Sequence, residues 1–241
     1  MSDEILDPLP EEWSCALAIV AHPDDMESGA ASAIARWTSQ GKKVVYILMT
    51  SGEAGIDGMS PQEAGPIREE EEYKGASVVG VEKVDFLGYT DGVIEYGLPL
   101  RLDIARQIRI HKPEVLITLS HRLTWPGGPI NMADHRWLAY GVMDGARDAG
   151  NRWIFTELLE EGLEPWPGVR MVLLSGSPMP THAVDITGFL EKGVESLQEH
   201  RAYIENLAQG FDPVSFLTNS AELNGKRSGF LHAASFEVVN I

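Results

Sequence analysis

Cysteine is almost absent from this sequence, and so are long apolar runs. The 241 residues include one cysteine, which excludes an intramolecular disulfide. Because Cys15 lies inside an apolar segment, we expect a buried and inert thiol. No apolar stretch approaches the roughly 20 residues that a membrane span needs. The first residues are acidic and contain no apolar signal region. We therefore predict a cytoplasmic protein without a membrane span.

Basic residues are scarce as well. Lysine and arginine together number 19, against 36 aspartates and glutamates, and the formal net charge is −17 at pH 7. A field of this sign repels nucleic acids and anionic membrane surfaces. We therefore expect neither as a partner, although the charge balance leaves room for a local basic pocket.

Glycine-rich phosphate loops, repeats and linkers are also missing. No Gly-x-Gly-x-x-Gly turn follows the first apolar segment, and residues 51–55 (Ser-Gly-Glu-Ala-Gly) are too acidic to cradle phosphates. A dinucleotide site is therefore not expected. Because no linker divides the chain, we predict a single domain over residues 1–241, a length that suits one large α/β domain.

The apolar pattern that is present predicts alternating strands and helices. Continuous apolar residues at 13–20 and 43–50 are typical of strands buried on both faces, with helical spacing over residues 28–40 between them. A βαβ unit of this kind begins a parallel sheet. The rest of the pattern predicts further strands (84–87, 114–119, 170–175, 183–186), helices (67–79, 99–111, from 131 onward, 187–207), a functional loop (51–66) and a returning tail (213–241).

The most informative segment is Ala-His-Pro-Asp-Asp-Met-Glu at residues 21–27, on the turn between the first strand and the first helix. Its imidazole (His22) and three carboxylates (Asp24, Asp25, Glu27) are costly to bury unless a cation neutralises them. Nitrogen and hard oxygen donors without a thiolate suit zinc, or another first-row divalent ion, in a catalytic site. One aspartate would bind the metal and the other would act as general base. The alternative is a solvated acidic turn in an acidic protein.

This segment resembles the Ala-His-Pro-Asp-Asp-x-Glu signature of the zinc-dependent de-N-acetylases of the PIG-L/LmbE-like family. Members are amidases that act on N-acetylglucosaminyl-phosphatidylinositol, on mycothiol and bacillithiol precursors and conjugates, and on some glycopeptide antibiotics. The resemblance implies an α/β fold, a Rossmann-like three-layer sandwich with a mostly parallel central sheet. It also implies a Zn²⁺ cofactor, with another first-row metal as the alternative, and a small N-acyl amino-sugar substrate. A homo-oligomer is compatible with it.

A catalytic zinc ion usually takes three protein ligands, and the third is expected from another strand end. After the strand at 114–119, Asn131 is a plausible helix N-cap, which places His135 in the first turn of the helix. A histidine there could instead be a cap partner or a surface residue. In the family this position carries the last histidine of His-Pro-Asp-His-Arg. The resemblance therefore implies His22, Asp25 and His135 as metal ligands and Asp24 as the base.

The resemblance also suggests residues that bind substrate or support the ligands. Asp91 matches a segment implicated in binding sugar hydroxyls, with an ordinary Asp-Gly turn as the alternative. Arg68 falls near a substrate-contacting arginine, one residue out of register. Glu27 matches the signature glutamate and would either orient a metal ligand or cap a helix that opens at Ser28.

Two departures from the family pattern bear on activity. Met132 stands where the family has the first histidine of His-Pro-Asp-His, which is thought to stabilise the oxyanion or to protonate the leaving amine. Methionine can do neither, so zinc acts alone, another donor has moved in, or activity is low or lost. The candidate donors are His121, Arg122 and His182, and His121 is also a possible substrate contact. Residues 232–236 lack the glutamate of a family Ala-Glu-x-Phe segment, so the substrate pocket is expected to differ.

The sequence therefore predicts a metal-dependent amidohydrolase that removes an N-acetyl or other N-acyl group by means of a metal-activated water and an aspartate base. Two alternatives remain open. One is a catalytically silent family member that binds metal and a sugar-like ligand. The other is an amidase that cleaves a thiol conjugate or a secondary metabolite. His200, on the helix predicted at 187–207, is expected to be structural.

Overall fold

A computed structural model describes residues 5–207 and 211–241. Its strands form one eight-stranded sheet in the order β1-β7-β8-β6-β5-β2-β3-β4. The strands are β1 (Asp7–Pro8), β2 (Cys15–Val20), β3 (Lys43–Leu48), β4 (Val84–Phe86), β5 (Val115–Leu119), β6 (Met171–Ser175), β7 (His182–Asp185) and β8 (Ala233–Asn240). Every neighbouring pair is parallel except β6–β8 and β7–β8.

Helices cover both faces of this sheet. They are α1 (Ala31–Ser39), α2 (Pro61–Val78), α3 (Leu98–His111), α4 (Ala133–Ala149), α5 (Glu157–Glu160), α6 (Leu190–Gln198), α7 (Arg201–Asn206) and α8 (Pro213–Ser228). Alternate residues of β2 enter two separate apolar cores, Ala16, Ala18 and Val20 on one face and Leu17 and Ile19 on the other. Residues of α1, α6 and α8 pack into the first core, and residues of α3 and α4 into the second. This burial explains the uninterrupted apolar runs of the strands. The predicted α/β three-layer sandwich with a mostly parallel sheet is confirmed.

Several predicted boundaries were wrong for identifiable reasons. Helix α2 begins at Pro61 rather than at residue 67, because Ser60 and Glu63 form a capping box. Helix α1 begins at Ala31, so residues 28–30 belong to the turn before it. The helix predicted at 187–207 is two helices, α6 and α7, which are separated at His200.

The C-terminal part contains more regular secondary structure than the sequence predicted. The predicted tail contains helix α8 and strand β8, and β8 is inserted antiparallel between β6 and β7. Cys15 is only half-buried, at the start of β2, where burial raises the pKa of its thiol. Among the described residues, none of the helices combines the length and the apolar composition of a membrane span.

Candidate metal centre and its cavity

The turn after β2 separates the two adjacent aspartates. Asp25 Oδ2 accepts hydrogen bonds from the backbone N–H groups of Ala21 and His22, each at 2.9 Å. Asp24 has a φ of +89°, which is uncommon for a residue other than glycine, and its carboxylate lies against Arg68 instead. The local backbone therefore gives the two carboxylates different surroundings, as their different expected roles require.

The second part of the site comes from the loop after β5. His135 lies in the first turn of α4, and its Nδ1 is 2.9 Å from Asn131 Oδ1. Asn131 in turn donates from Nδ2 to the carbonyl oxygens of Ser120 and Arg122. The expectation that Asn131 caps α4 was wrong, because Met132 occupies the N-cap position. Asn131 instead orients the His135 ring, which leaves Nε2 directed at the turn.

The three predicted ligands meet at one point. His22 Nδ1 and His135 Nε2 are 3.1 Å apart, and His135 Nε2 is 3.1 Å from Asp25 Oδ1. One ligand atom from each residue lies within 4.8 Å of the other two, and all three residues are buried. Two imidazole nitrogens and a carboxylate oxygen form a donor set of the kind that holds a catalytic zinc or similar ion, with room for further ligands. The chain's own residues therefore fit such a metal.

Carboxylates also support the far side of His22. Its Nε2 is 3.0 Å from Asp91 Oδ1 and 3.4 Å from Asp134 Oδ2. Asp91 also accepts a hydrogen bond from Ala54 N, and Asp134 accepts from Gly92 N and Ile94 N. Carboxylates in this position fix the orientation of a metal-binding histidine. Sequence reasoning gave Asp134 no role beside the metal ligands and gave Asp91 a role in binding substrate hydroxyls, and Asp91 does line the cavity.

The electrostatics of the pair of aspartates follow from their neighbours. Burial raises the pKa of Asp24 to about 7, although Arg68 acts in the opposite direction. Burial also tends to raise the pKa of Asp25, but His135 and His22 outweigh it, and the pKa falls below its usual value. Asp25 is thus the permanently ionised partner, whereas Asp24 is a carboxyl that can gain and lose a proton near neutral pH. This difference is the one a ligand and a general base need.

Arg68 holds Asp24 in place. The buried guanidinium donates to Asp24 Oδ1 at 2.7 Å and to the carbonyl oxygens of Pro23 and Gly52. Gly52 has a φ of +62°, and a Cβ there would lie 2.3 Å from Arg68 Nη1, so only glycine permits this approach. Arg68 lines the cavity, where it was predicted to contact substrate. Its hydrogen bonds to Asp24 Oδ1 and to the carbonyl oxygen of Pro23 also orient the Asp24 carboxylate.

Glu27 was expected either to orient a metal ligand or to cap a helix that opens at Ser28. It does not cap α1, which begins at Ala31, and the cap expectation was therefore wrong. Its buried carboxylate lies beside Ser196 Oγ, at 3.4 Å, and His200 Nε2, at 3.8 Å.

A cavity of about 640 Å³ adjoins the three converging residues. Its wall includes apolar side chains from the β5 end, the loop after it, and helices α6 and α8, among them Leu119, Trp125, Leu190, Phe216 and Leu217. Met132 also lines it and is 50% exposed. The space can therefore take a molecule with a polar end at the metal centre and an apolar part beyond it.

None of the three residues suggested as donors in place of the missing histidine lines this cavity. His121 packs on Tyr140, Arg122 is paired with Glu237, and His182 is 2.8 Å from Thr181 Oγ1. Tyr203 does line the cavity, and its ring lies 4.1 Å over the Arg68 guanidinium. Burial raises the pKa of Tyr203 to about 12, so the phenol keeps its proton. Sequence reasoning placed Tyr203 within the helix predicted at 187–207 and gave it no functional role.

Fold and site together define an α/β protein with a candidate divalent-metal centre at the carboxyl ends of its parallel strands, where such sheets bind ligands. A sequence model of the PIG-L family, described as GlcNAc-PI de-N-acetylase, matches residues 17–146, and the chain belongs to this family. The diacetylchitobiose deacetylase of Thermococcus kodakarensis is 29% identical over 226 residues, which cover 92% of this chain and 82% of that protein.

Two further proteins extend the comparison. The structure of N,N'-diacetylchitobiose deacetylase from Pyrococcus horikoshii, in complex with its inhibitor MPG, superposes with a TM-score of 0.84 at 25% identity. It covers 95% of this chain, and the match spans 84% of that structure. The mycothiol S-conjugate amidase of Streptomyces coelicolor is 25% identical over 156 residues, 55% of this chain and 52% of that protein.

Proposed function

We propose that this protein is a metal-dependent deacetylase, a hydrolase of linear amide bonds that removes an N-acetyl or other N-acyl group from an amino-sugar-containing small molecule. The observation that carries the proposal is the convergence of His22, Asp25 and His135 in the wall of a cavity that Asp24 also lines. Membership of the de-N-acetylase family and the likeness to diacetylchitobiose deacetylases support an N-acetylglucosamine-type substrate.

The proposed mechanism assigns a task to each of these side chains. His22, Asp25 and His135 would hold Zn²⁺ or another first-row divalent ion, which supplies activation of a water and polarisation of the acyl carbonyl. Asp24 takes a proton from the attacking water, since its carboxyl lies on the cavity wall with a pKa of about 7. Arg68 fixes the orientation of that carboxylate through Asp24 Oδ1. Asp91 and Asp134 keep His22 Nδ1 directed at the centre.

The proton for the leaving amine needs a donor, because Met132 has none. We propose Tyr203, the one hydroxyl-bearing aromatic residue among the described cavity residues. Its protonated phenol can stabilise the developing oxyanion by a hydrogen bond, or it can pass its proton to the amine and regain one from Asp24, which took a proton from the water. Arg68 lies under its ring and links its position to that of Asp24.

The test is incubation of the protein with N-acetylglucosamine and N,N'-diacetylchitobiose in the presence of Zn²⁺. We expect mass spectrometry to show loss of acetyl and a new free amine, and a chelator to abolish turnover, which re-added metal restores. Absence of turnover with metal-dependent binding of the sugars would favour the silent binder over the enzyme.

A second candidate activity is cleavage of an amide in a thiol conjugate. The similarity to a mycothiol S-conjugate amidase and the apolar part of the cavity favour it. A panel of N-acyl glucosaminides and S-conjugated N-acyl cysteine derivatives separates the two. Turnover of the thiol conjugates alone would show that the protein is an amidase of thiol conjugates and not a deacetylase of amino sugars.

Replacing Tyr203 with phenylalanine removes the proposed donor and keeps the ring over Arg68. We expect turnover to fall by about 10²-fold, the lower range for acid catalysis, with metal content unchanged. The double variant Tyr203→Phe with Met132→His is expected to regain part of the rate, because an imidazole returns to the position where the family has one. Tyr73→Phe on the exposed side of α2 is the control. An unchanged rate in Tyr203→Phe would exclude the phenol as donor.

A further inference from the structure

A second group of metal-binding residues lies buried behind the turn after β2. Glu27 of that turn, Glu72 of α2 and His200 between α6 and α7 are each at most 1% exposed. His200 Nε2 is 3.8 Å from Glu27 Oε2 and 3.8 Å from Glu72 Oε2, and one ligand atom of each residue lies within 4.8 Å of the others. Three separate parts of the chain thus direct polar atoms at one point, at spacings too long for hydrogen bonds.

These atoms lack the partners that buried polar groups normally have. Both ring nitrogens of His200, Glu27 Oε2 and Glu72 Oε1 are buried without a hydrogen-bond partner among the described residues. Buried polar groups left in this state cost free energy, and such groups are few in native proteins. The orphaned imidazole directed at two carboxylates therefore indicates that something else occupies the space between them.

The charge of the group identifies the kind of occupant. Two carboxylates together carry two negative charges when ionised, and the Arg68 guanidinium is bound to Asp24 Oδ1 and two carbonyl oxygens instead. One divalent cation balances both carboxylates. Since the third donor is an imidazole nitrogen, first-row ions such as zinc or manganese suit the set better than calcium or magnesium.

The spacing and the surrounding space agree with such an ion. Metal–ligand bonds of about 2.0–2.2 Å at tetrahedral angles place ligand atoms about 3.3–3.6 Å apart, so the 3.8 Å separations need only a small contraction. Gly75 of α2 faces the group. A Cβ at this position would lie 3.0 Å from His200 Nε2 and 3.5 Å from Glu27 Oε1. The absence of a side chain leaves that space free.

We propose that Glu27, Glu72 and His200 hold a second divalent metal ion, distinct from the one at His22, Asp25 and His135. Glu72 Oε2 also accepts a hydrogen bond from Asp24 N at 3.1 Å. The ion therefore joins the turn to α2 and to the junction of α6 with α7. Its role is structural, because it holds the backbone of Asp24 in its positive-φ conformation. The proposal stands independently of the reaction catalysed.

The test measures metal content after reconstitution with Zn²⁺ or Mn²⁺ and removal of free ion. We expect about two equivalents per chain in the wild type and about one in His135→Ala, His200→Gln or Glu72→Gln. Adding His135→Ala to His200→Gln should remove both. Glu71→Gln is the matched control, because its carboxylate is on the same helix but binds Ala202 N instead. One equivalent in the wild type that His135→Ala abolishes would overturn the proposal.

A measurement on the unaltered protein covers the case in which the variants do not fold. Anomalous scattering from crystals soaked in Zn²⁺ should give two peaks, one of them between Glu27, Glu72 and His200. A single peak at His22, Asp25 and His135 would show that the buried carboxyls are protonated instead and would refute the second site. The two peaks are read separately, so failure of the second site and failure of the proposed function are distinguishable.

Discussion

Replacing Asp24 with asparagine is expected to lower turnover by about 10²- to 10⁴-fold, the usual contribution of a general base, while metal content stays at the wild-type level. The amide cannot take a proton from the attacking water. It can still accept the hydrogen bond from Arg68 at Oδ1, where the carboxylate accepts one at 2.7 Å. Asparagine also tolerates positive φ better than most residues, so the +89° conformation is retained. The measurement is kcat with an N-acetylglucosaminide, together with the bound metal.

The matched control is Asp103→Asn, a change of the same kind on α3 and away from the cavity, at a carboxylate that accepts a hydrogen bond from the Tyr89 hydroxyl. It should leave the rate unchanged. Loss of metal in Asp24→Asn would mean that this carboxylate binds the ion. A wild-type rate with metal in place would mean that the base is another group.

The organisation of the site was predictable because its chemistry is concentrated in one short turn. Four ionisable side chains at residues 22–27 follow a strand that is buried on both faces, and a parallel sheet brings the ends of its strands to one edge. His135 was placed by the same reasoning, from its position after the strand β5. The family and the fold were confirmed, and the structure brings the three expected ligands together. Their binding of metal stays a prediction.

What sequence reasoning missed depends on contacts between distant segments. Asp134 supports His22 from 112 positions away, and Tyr203 reaches the cavity only because α7 packs near Arg68. The break between α6 and α7 was missed for a related reason. The apolar periodicity predicts one continuous helix, but the helix is interrupted at His200, which is buried beside Glu27 and Glu72. Tertiary contacts of this kind override the local helical preference.

The roles given to polar residues were least predictable where one residue has several possible partners. Arg68 was expected to contact substrate, which stays a prediction; it lines the cavity, and its three hydrogen bonds also connect the two loops that carry Asp24 and Gly52. Asn131 has the residue type of an N-cap and precedes the N-cap position by one residue, but its side chain bridges Ser120, Arg122 and His135. A short polar side chain can form several alternative hydrogen bonds with nearby groups, and the packing of the folded protein decides which of them form.

Replacing His135 with alanine tests the metal centre itself, and we expect it to reduce metal affinity by more than about 100-fold, since loss of a group that merely orients a ligand already costs 10- to 100-fold. Turnover should fall with occupancy and recover in part at high zinc concentration. Asn131→Ala, which only frees the His135 ring, should give a smaller loss of affinity. His182→Ala, at the start of β7 and outside the cavity, serves as the control and should bind metal normally. If His135→Ala kept both metal affinity and turnover, the ion would lie elsewhere, and the convergence of the two histidines with Asp25 would have no catalytic meaning.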